Sequence, residues 1–218
     1  TNLRRHLEKK KFKKITIIER APSILGPLPQ WMRDYVNANL KKLNIEVLTN
    51  ASVEKIMKDK VCLFGGAEFE KAMLIWAAGV KTPAFMQDLQ VEKNPQGRIK
   101  VDDYLRVNDN CFAAGDASNF SSGGGFLRMA VQFAIKQGQC AAENIIRDIS
   151  GKELRKFRPV DLGYIIPMAN NCSCGKVFGL NVKGRLATLL HFSMCIYRLN
   201  GLRNKSGALK NLLKGGGR

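Results

Sequence analysis

A short apolar run that ends in Gly-Asp constrains this chain most: residues 111–118 read Cys-Phe-Ala-Ala-Gly-Asp-Ala-Ser. A glycine-rich loop follows, and the pattern predicts a helix from about Phe126. In open α/β sheets, ligands bind where strands end and helices begin. Gly115 permits close backbone approach to a phosphate, and Asp116 offers two acceptors for sugar-type hydroxyls. The stretch therefore predicts a ligand site beside a helix N-terminus, the ordinary alternative being that Asp116 is only a helix N-cap.

Positive charge is concentrated at the two ends of the chain. Its 36 lysines and arginines outnumber its 18 aspartates and glutamates, which gives a formal net charge of +18. Seven basic residues lie within 4–14, and nine follow Asp161, after which no acidic residue occurs. Such blocks attract nucleic acid, anionic lipid or an acidic partner. The 218 residues suffice for one large domain or two small ones.

The six cysteines show neither a disulfide framework nor a Cys-x-x-Cys motif. Cys111 and Cys140 lie in apolar contexts and are predicted to be reduced core residues. Cys172 and Cys174 form a Cys-x-Cys without partners at zinc-site spacing, so no metal site is predicted. This usage favours a reducing cytosol, and the highly charged residues 1–14 predict no signal peptide.

The first half of the chain alternates between helix and strand patterns. The predicted elements are a helix end (2–11), a buried strand (15–20), a helix (30–43), a short strand (45–48), an antiparallel meander (51–74) with a Gly65-Gly66 turn, and a buried strand (73–80). A loop with a short helix (81–96) and a strand (99–101) then precede the predicted strand Cys111–Asp116.

Glu19 stands at the end of the first predicted strand. A carboxylate there is typical of the second strand of a dinucleotide-binding βαβ unit, where it accepts hydrogen bonds from ribose hydroxyls. The G-x-G-x-x-G expected about 20 residues earlier does not occur in the sequence. An ordinary surface glutamate at a strand end is the alternative. Neither His6 nor His191 has sequence partners that suggest a catalytic triad.

Four segments in order carry a resemblance: IWAAGVKTP, RIKVDDYLRV, CFAAGDAS and MAVQFAIKQGQCAAENI. They resemble the carboxy-terminal half of the pyridine nucleotide-disulfide oxidoreductase superfamily, and within it most resemble the type II NADH:quinone dehydrogenases. The resemblance implies an α/β fold: part of a flavoprotein with two dinucleotide-binding, Rossmann-like domains, an antiparallel β-meander and a C-terminal helical basic tail. It divides the chain into the C-terminal half of an NAD(P)H-binding domain (1–83), the C-terminal part of an FAD-binding domain (84–160) and a membrane-surface or dimerisation segment (161–218).

The resemblance also implies residue roles on the flavin side. Asp116 would bind the ribitol of FAD, with Gly115 giving close approach to the pyrophosphate. Val131 and Gln132 match the pair that faces the isoalloxazine and the quinone pocket. Lys136 stands where these enzymes usually carry a second glutamine, and it lies either near flavin and quinone or in solvent.

On the NADH side, the implied contacts are Glu19 with the ribose hydroxyls and the backbone of Ala78 and Gly79 near the nicotinamide ribose. Glu19 would repel a 2′-phosphate and so favours NADH over NADPH, although Arg20 beside it weakens that preference. The implied activity passes hydride from NADH to FAD and electrons on to a quinone. No side chain need act as a nucleophile, because the cofactor carries the chemistry.

Two other functions remain open at this point. One is NAD(P)H-dependent reduction of a soluble carrier such as a ferredoxin or rubredoxin, and the other is a non-enzymatic basic interaction module. Nucleic acid is disfavoured as a partner because no basic strand interleaved with aromatics occurs. A homodimer is compatible with the sequence. The 218 residues alone are expected to be inactive and to need the N-terminal half that carries the glycine loops.

The basic tail contains an apolar stripe at helical spacing: Leu186, Leu189, Leu190, Met194 and Tyr197. The uncharged run 186–197 is too short to span a bilayer. An apolar face with a basic rim is typical of a helix in the membrane interface, here peripheral on the cytoplasmic face of the cell membrane. A helix packed on the core with a solvated basic edge remains the alternative.

Overall fold

The computed structural model describes residues 14–168 and 170–215, with side chains up to residue 212. The helix predicted over 2–11 lies outside the described residues. The chain divides into two compact units. Of the described residues, 14–75, 163–168 and 170–215 belong to the first unit and 76–162 to the second.

The first unit opens with a parallel β-α-β arrangement that confirms the predicted elements. Strand β1 (Ile15–Ile18) pairs in parallel with β2 (Ile45–Leu48), and helix α1 (Gln30–Lys42) connects them. Pro29 precedes α1, which suits a helix start because proline fixes φ near its helical value. The lysines in the last turn complement the negative end of the helix dipole. Helix α1 buries Met32 and Val36 in the core of this unit.

The predicted meander is also confirmed. Strands β3 (Val53–Ile56), β4 (Lys60–Leu63) and β5 (Glu68–Glu70) form an antiparallel sheet in sequence order. Gly65 and Gly66 form the connecting turn at φ values of +92° and +88°, which glycine adopts without steric cost.

The prediction of a buried strand over residues 73–80 is wrong. This segment forms no strand, and its large side chains are exposed, with Trp76 at 65% and Val80 at 77%. Apolar, β-prone composition forms a strand only where a neighbour satisfies its backbone hydrogen bonds. Among the described residues, no strand pairs with this segment.

The second unit is built from short strands around helix α3. Its elements are α2 (Phe85–Asp88), β6 (Ile99–Val101), β7 (Arg106–Asn108), β8 (Cys111–Phe112), a 3₁₀ turn (Gly115–Ala117), β9 (Ser118–Ser122), β10 (Gly125–Phe126) and α3 (Val131–Ile149). Strands β6 and β9 pair in parallel, whereas β9 and β10 form a hairpin.

Two predicted boundaries in this unit are corrected. The strand expected over Cys111–Asp116 has only two residues, and the helix begins at Val131 rather than near Phe126. The glycine-rich loop is a hairpin turn, so Phe126 is a strand residue instead of a helical one. The left-handed backbone of Gly123 and Gly124 reverses the chain there.

The core of the second unit packs around Leu105, which is completely buried, and Phe120. The ring of Phe120 meets that of Phe157 edge to face, with centroids 5.1 Å apart. The prediction that Cys111 lies in the core is wrong, because this side chain, at the start of β8, is exposed. Cys140 is half-buried against the cluster, and burial raises the pKa of its thiol.

The remaining elements belong to the first unit. Strands β11 (Gly163–Ile166), β12 (Cys174–Val177) and β13 (Leu180–Lys183) form an antiparallel sheet. Helices α4 (Gly184–Arg198) and α5 (Leu202–Gly215) follow. Within the part of the chain that the structure describes, no helix has the length and apolarity to cross a bilayer.

Replacing Leu105 by Ala is expected to lower the free energy of unfolding of the second unit by about 2–5 kcal/mol, because it leaves a cavity in a sealed core. Urea unfolding measures this loss. Leu202→Ala makes the same chemical change at an exposed site and is expected to change stability by less than about 0.5 kcal/mol. Equal losses in the two variants would contradict the assigned core.

Candidate functional site at the Asp116 turn

The turn at Gly115 and Asp116 lies beside the start of helix α3. Gly115 has a φ of +67°, and the side chain of Asp116 is exposed. Together with the residue before β6, the segment between β10 and α3, and α3 itself, this turn borders a cleft. The cleft is lined by Arg98, Gly115, Asp116, Leu127, Arg128, Ala130, Phe133, Ala134 and Gln137. The cleft is a shallow depression in the surface and encloses essentially no volume of its own.

Helix α3 presents an uncapped N-terminus at this cleft. Its N-cap is Ala130, no side chain caps it, and its first turn contains no acidic residue. The first backbone N–H groups of a helix have no intrahelical partner and carry partial positive charge. The alternative in which Asp116 serves as the N-cap is thereby excluded, and the carboxylate is available to a ligand.

Gln137 holds the turn in place. Its side chain is only 2% exposed, and its Oε1 accepts hydrogen bonds from the backbone N–H of Gly115 (2.7 Å) and from Oγ of Ser118 (3.0 Å). The sequence analysis missed this residue. A signal was present, because Gln137 falls on the helical stripe of buried residues with Phe133 and Ala141. A glutamine on a core stripe needs polar partners.

Arg98 places a buried cation next to the same turn. The side chain is 7% exposed, and its Nη2 donates to the carbonyl oxygens of Ser118 and Leu127. Its Nε is buried and has no hydrogen-bond partner among the described residues. Burial lowers the pKa of the guanidinium, and the negative charge of Asp116 opposes that shift. An arginine remains protonated in such a site.

The other predicted flavin-side residues do not line the cleft. The Nε2 of Gln132 donates to Oδ1 of Asp161 (3.0 Å), and its Oε1 accepts from the backbone of Leu162 (3.3 Å). Val131 is exposed. Lys136 is also exposed, and its Nζ donates to Oε1 of Gln139 (3.2 Å). The structure therefore unites Gly115 and Asp116 at the cleft and puts Val131, Gln132 and Lys136 elsewhere on α3.

The predicted NADH-side residues belong to different units. Glu19 directly follows β1 in the first unit, is half-buried, and accepts a hydrogen bond on Oε1 from the backbone N–H of Ala21 (2.8 Å). Ala78 and Gly79 are exposed residues of the second unit, and Gly79 has a φ of +93°.

The described residues contain no group of three or more His, Cys, Asp or Glu side chains arranged to hold a metal ion. All six cysteines are free thiols. Burial raises the pKa of the Cys174 thiol, which favours its protonated, unreactive form.

Gly115→Ala is expected to destabilise the second unit more than Gly123→Ala does. Both residues have left-handed backbones, so both variants carry the conformational cost of roughly 1 kcal/mol. Only at residue 115 would the new Cβ press on a neighbour, 3.2 Å from Cβ of Ala134, whereas the space around residue 123 is open. Thermal unfolding of both variants measures the difference, and equal shifts would contradict close packing of the turn on α3.

Comparison with known proteins shows which family the chain belongs to. The family model described as pyridine nucleotide-disulphide oxidoreductase matches residues 6–142. The type II NADH:quinone oxidoreductase of Haemophilus influenzae is 27% identical over 196 residues, which cover 85% of this chain and 44% of that protein. The Staphylococcus aureus enzyme of the same name is 29% identical over 184 residues, which cover 81% of this chain and 46% of that protein. The chain thus spans less than half the length of these relatives.

Solved structures show the same fold. NDH2 from Plasmodium falciparum in complex with NADH superimposes with a TM-score of 0.77 at 16% identity, covering 95% of this chain and 58% of that one. A NAD-dependent persulfide reductase from A. fulgidus superimposes with a TM-score of 0.62 at 23% identity, covering 75% of this chain and 31% of that one. The matched span 6–142 contains β1, the meander and the Asp116 turn, and it covers more than half of the 218 residues. The chain belongs to the pyridine nucleotide-disulphide oxidoreductase family.

Proposed function

We propose that this chain forms the C-terminal part of an FAD-containing NADH:quinone oxidoreductase. Family membership, the names of the relatives and the cleft at Asp116 support this function. The observation that carries it is an exposed carboxylate beside an uncapped helix N-terminus and a buried arginine. Because the chain spans 44% to 46% of these relatives and lacks a G-x-G-x-x-G, a segment with that loop completes the enzyme.

The residues at the cleft fit one part of FAD. Asp116 would accept hydrogen bonds from ribitol hydroxyls, and the N-terminus of α3 would face an electron-rich edge of the cofactor. Arg98 adds a positive charge, and its unpaired Nε is the kind of buried donor that a bound group satisfies. When bound, FAD accepts hydride and passes electrons onward. The chain's own part is to bind, to orient and to stabilise negative charge.

The remaining assignments extend this proposal. Glu19 would bind ribose hydroxyls of NADH, and the backbone of Ala78 and Gly79 would approach the nicotinamide ribose. Gln132 and Lys136 would contribute to the quinone side. Residues 1–83 would complete an NAD(P)H-binding, Rossmann-like domain, and residues 84–160 an FAD-binding domain. A segment 161–218 that rests on an anionic membrane surface would bring the enzyme to its quinone.

Exposed apolar side chains on α4 support the membrane location. Leu186 and Leu189 are each more than half exposed, and Tyr197 is 80% exposed, whereas Leu190 and Met194 are half-buried. The described chain therefore leaves the predicted stripe partly exposed. The exposed Arg185 and Arg198 stand at the two ends of this helix. Apolar side chains with flanking cations suit the interface of an anionic bilayer.

Asp116→Ala in the full-length gene product is expected to weaken FAD binding by at least about tenfold, because hydrogen bonds to a charged group contribute about 1.5–3 kcal/mol. Flavin fluorescence during FAD titration measures the dissociation constant. Asp109→Ala removes a carboxylate from a loop outside the cleft and serves as the control. Wild-type protein that takes up no FAD, or unchanged affinity in Asp116→Ala, would contradict the proposal.

Leu189→Glu is expected to reduce co-sedimentation with vesicles of phosphatidylglycerol and phosphatidylcholine severalfold, since it puts a charge into the apolar face. Val160→Glu makes a similar change at an exposed site outside the tail and is expected to leave binding unchanged. Equal vesicle binding by both variants and the wild type would contradict a membrane-binding role for the stripe.

The electron acceptor is tested separately with the full-length gene product. Reduction of a ferredoxin-type carrier but not of a quinone would overturn the assignment of a quinone as the acceptor.

A further inference from the structure

Helix α4 carries a histidine and a cysteine one turn apart. His191 and Cys195 are four residues apart in this helix, so their side chains leave the same face. The Sγ atom of Cys195 lies 3.7 Å from Nε2 of His191. The thiol of Cys195 is exposed and His191 is half-buried, so water and small ions reach the pair. The function proposed above uses neither side chain.

The separation of these two atoms matches the spacing of two ligands on a tetrahedral zinc ion. Zinc binds a thiolate at about 2.3 Å and an imidazole nitrogen at about 2.0–2.1 Å. At the tetrahedral angle, these two bonds place the sulfur and the nitrogen about 3.6 Å apart. The 3.7 Å between Cys195 and His191 is therefore compatible with both atoms binding one ion. Two histidines at the same helical spacing hold zinc in the His-Glu-x-x-His motif.

Two further features of α4 favour a cation at this pair. The imidazole of His191 meets the ring of Phe192 at 70°, with centroids 5.6 Å apart, and this contact restricts the orientation of the imidazole. Cys195 lies in the last turn of the helix, which ends at Arg198. The last turn carries the partial negative charge of the helix dipole. The positive charge of Arg198 opposes part of that attraction, and the thiolate supplies a full negative charge.

We propose that His191 and Cys195 form a two-ligand site for zinc on α4. A thiolate and an imidazole together select a borderline-soft ion over Mg²⁺ or Ca²⁺, which prefer oxygen ligands. The thiol releases its proton to solvent when zinc binds, because the thiolate is the ligand. Among the described residues, no third His, Cys, Asp or Glu is grouped with the pair. Water would therefore occupy the remaining positions on the ion.

Zinc at this pair would fasten the last two turns of α4. Both side chains reach one ion only while the backbone between them is helical, so binding stabilises the helical form. The pair also faces away from the exposed apolar side chains of the helix. At about 100° per residue, Cys195 lies about 180° from Leu186 and about 160° from Tyr197 around the helix axis. A bilayer against those apolar side chains would thus leave the zinc site in water.

Cys195→Ser and His191→Ala should each weaken zinc binding by at least about tenfold, because the loss of even an outer partner of a ligand costs about 10–100-fold in metal affinity. Competition with a chromogenic zinc chelator measures the dissociation constant in the reduced full-length gene product. Cys111→Ser removes an exposed thiol far from α4 in the sequence and should leave the affinity unchanged. Equal affinities in Cys195→Ser and Cys111→Ser, or no zinc binding by the wild type, would overturn the proposal.

Hydrogen exchange locates the ion without any substitution. Zinc should slow the exchange of backbone amides in residues 191–198 severalfold, since it opposes local unfolding of this segment, whereas the same concentration of Mg²⁺ should not. Zinc that binds the protein without protecting residues 191–198 would contradict the site. Neither measurement needs bound FAD, so the result is independent of the proposed function.

Discussion

The pair of hydrogen bonds accepted by Oε1 of Gln137 supports the rest of the site. They fasten the Gly115 N–H and the Ser118 hydroxyl to the second turn of α3, so that Asp116 between them faces the cleft. The bond from Ser118 is buried and the bond from Gly115 is partly buried, and an unmade bond costs more in such surroundings than in water. The tight approach of Gly115 to Ala134 belongs to the same arrangement, because a side chain at this position would push the turn from the helix.

Electrostatics then decide what the cleft can hold. The uncapped start of α3 and the buried guanidinium of Arg98 supply positive potential, and the exposed carboxylate of Asp116 supplies the acceptor. A ligand suited to all three offers hydroxyl donors next to an electron-rich or anionic group. Flavin adenine dinucleotide has both, which agrees with membership of the pyridine nucleotide-disulphide oxidoreductase family.

Sequence patterns predicted those elements whose partners lie nearby in the chain. Strands β1 and β2, helix α1 and the three-stranded meander follow from apolar periodicity and from the glycine turn at 65 and 66. The strand predicted over 73–80 was wrong, because a composition that favours strands does not by itself supply a neighbouring strand to pair with. The start of α3 was placed too early because a glycine pattern fits a loop and a hairpin equally well.

The sequence predicted the turn that borders the candidate cleft but not the residues that hold this turn in place. Gly-Asp after an apolar run identified Gly115 and Asp116, whereas Gln137 and Arg98 act through tertiary contacts with Ser118 and Leu127. Local spacing carries no record of a hydrogen bond between residues 19 or 20 positions apart. A glutamine on the apolar stripe of α3 was the available signal, since buried polar groups require partners.

The most direct test of the central claim is a crystal structure of the full-length gene product with FAD, in which the distance from the Asp116 carboxylate to the cofactor is measured. The account predicts a carboxylate oxygen about 2.5–3.0 Å from a ribitol hydroxyl, as for charge-assisted O–H···O bonds. A cofactor bound elsewhere, with Asp116 in contact only with water, would contradict it.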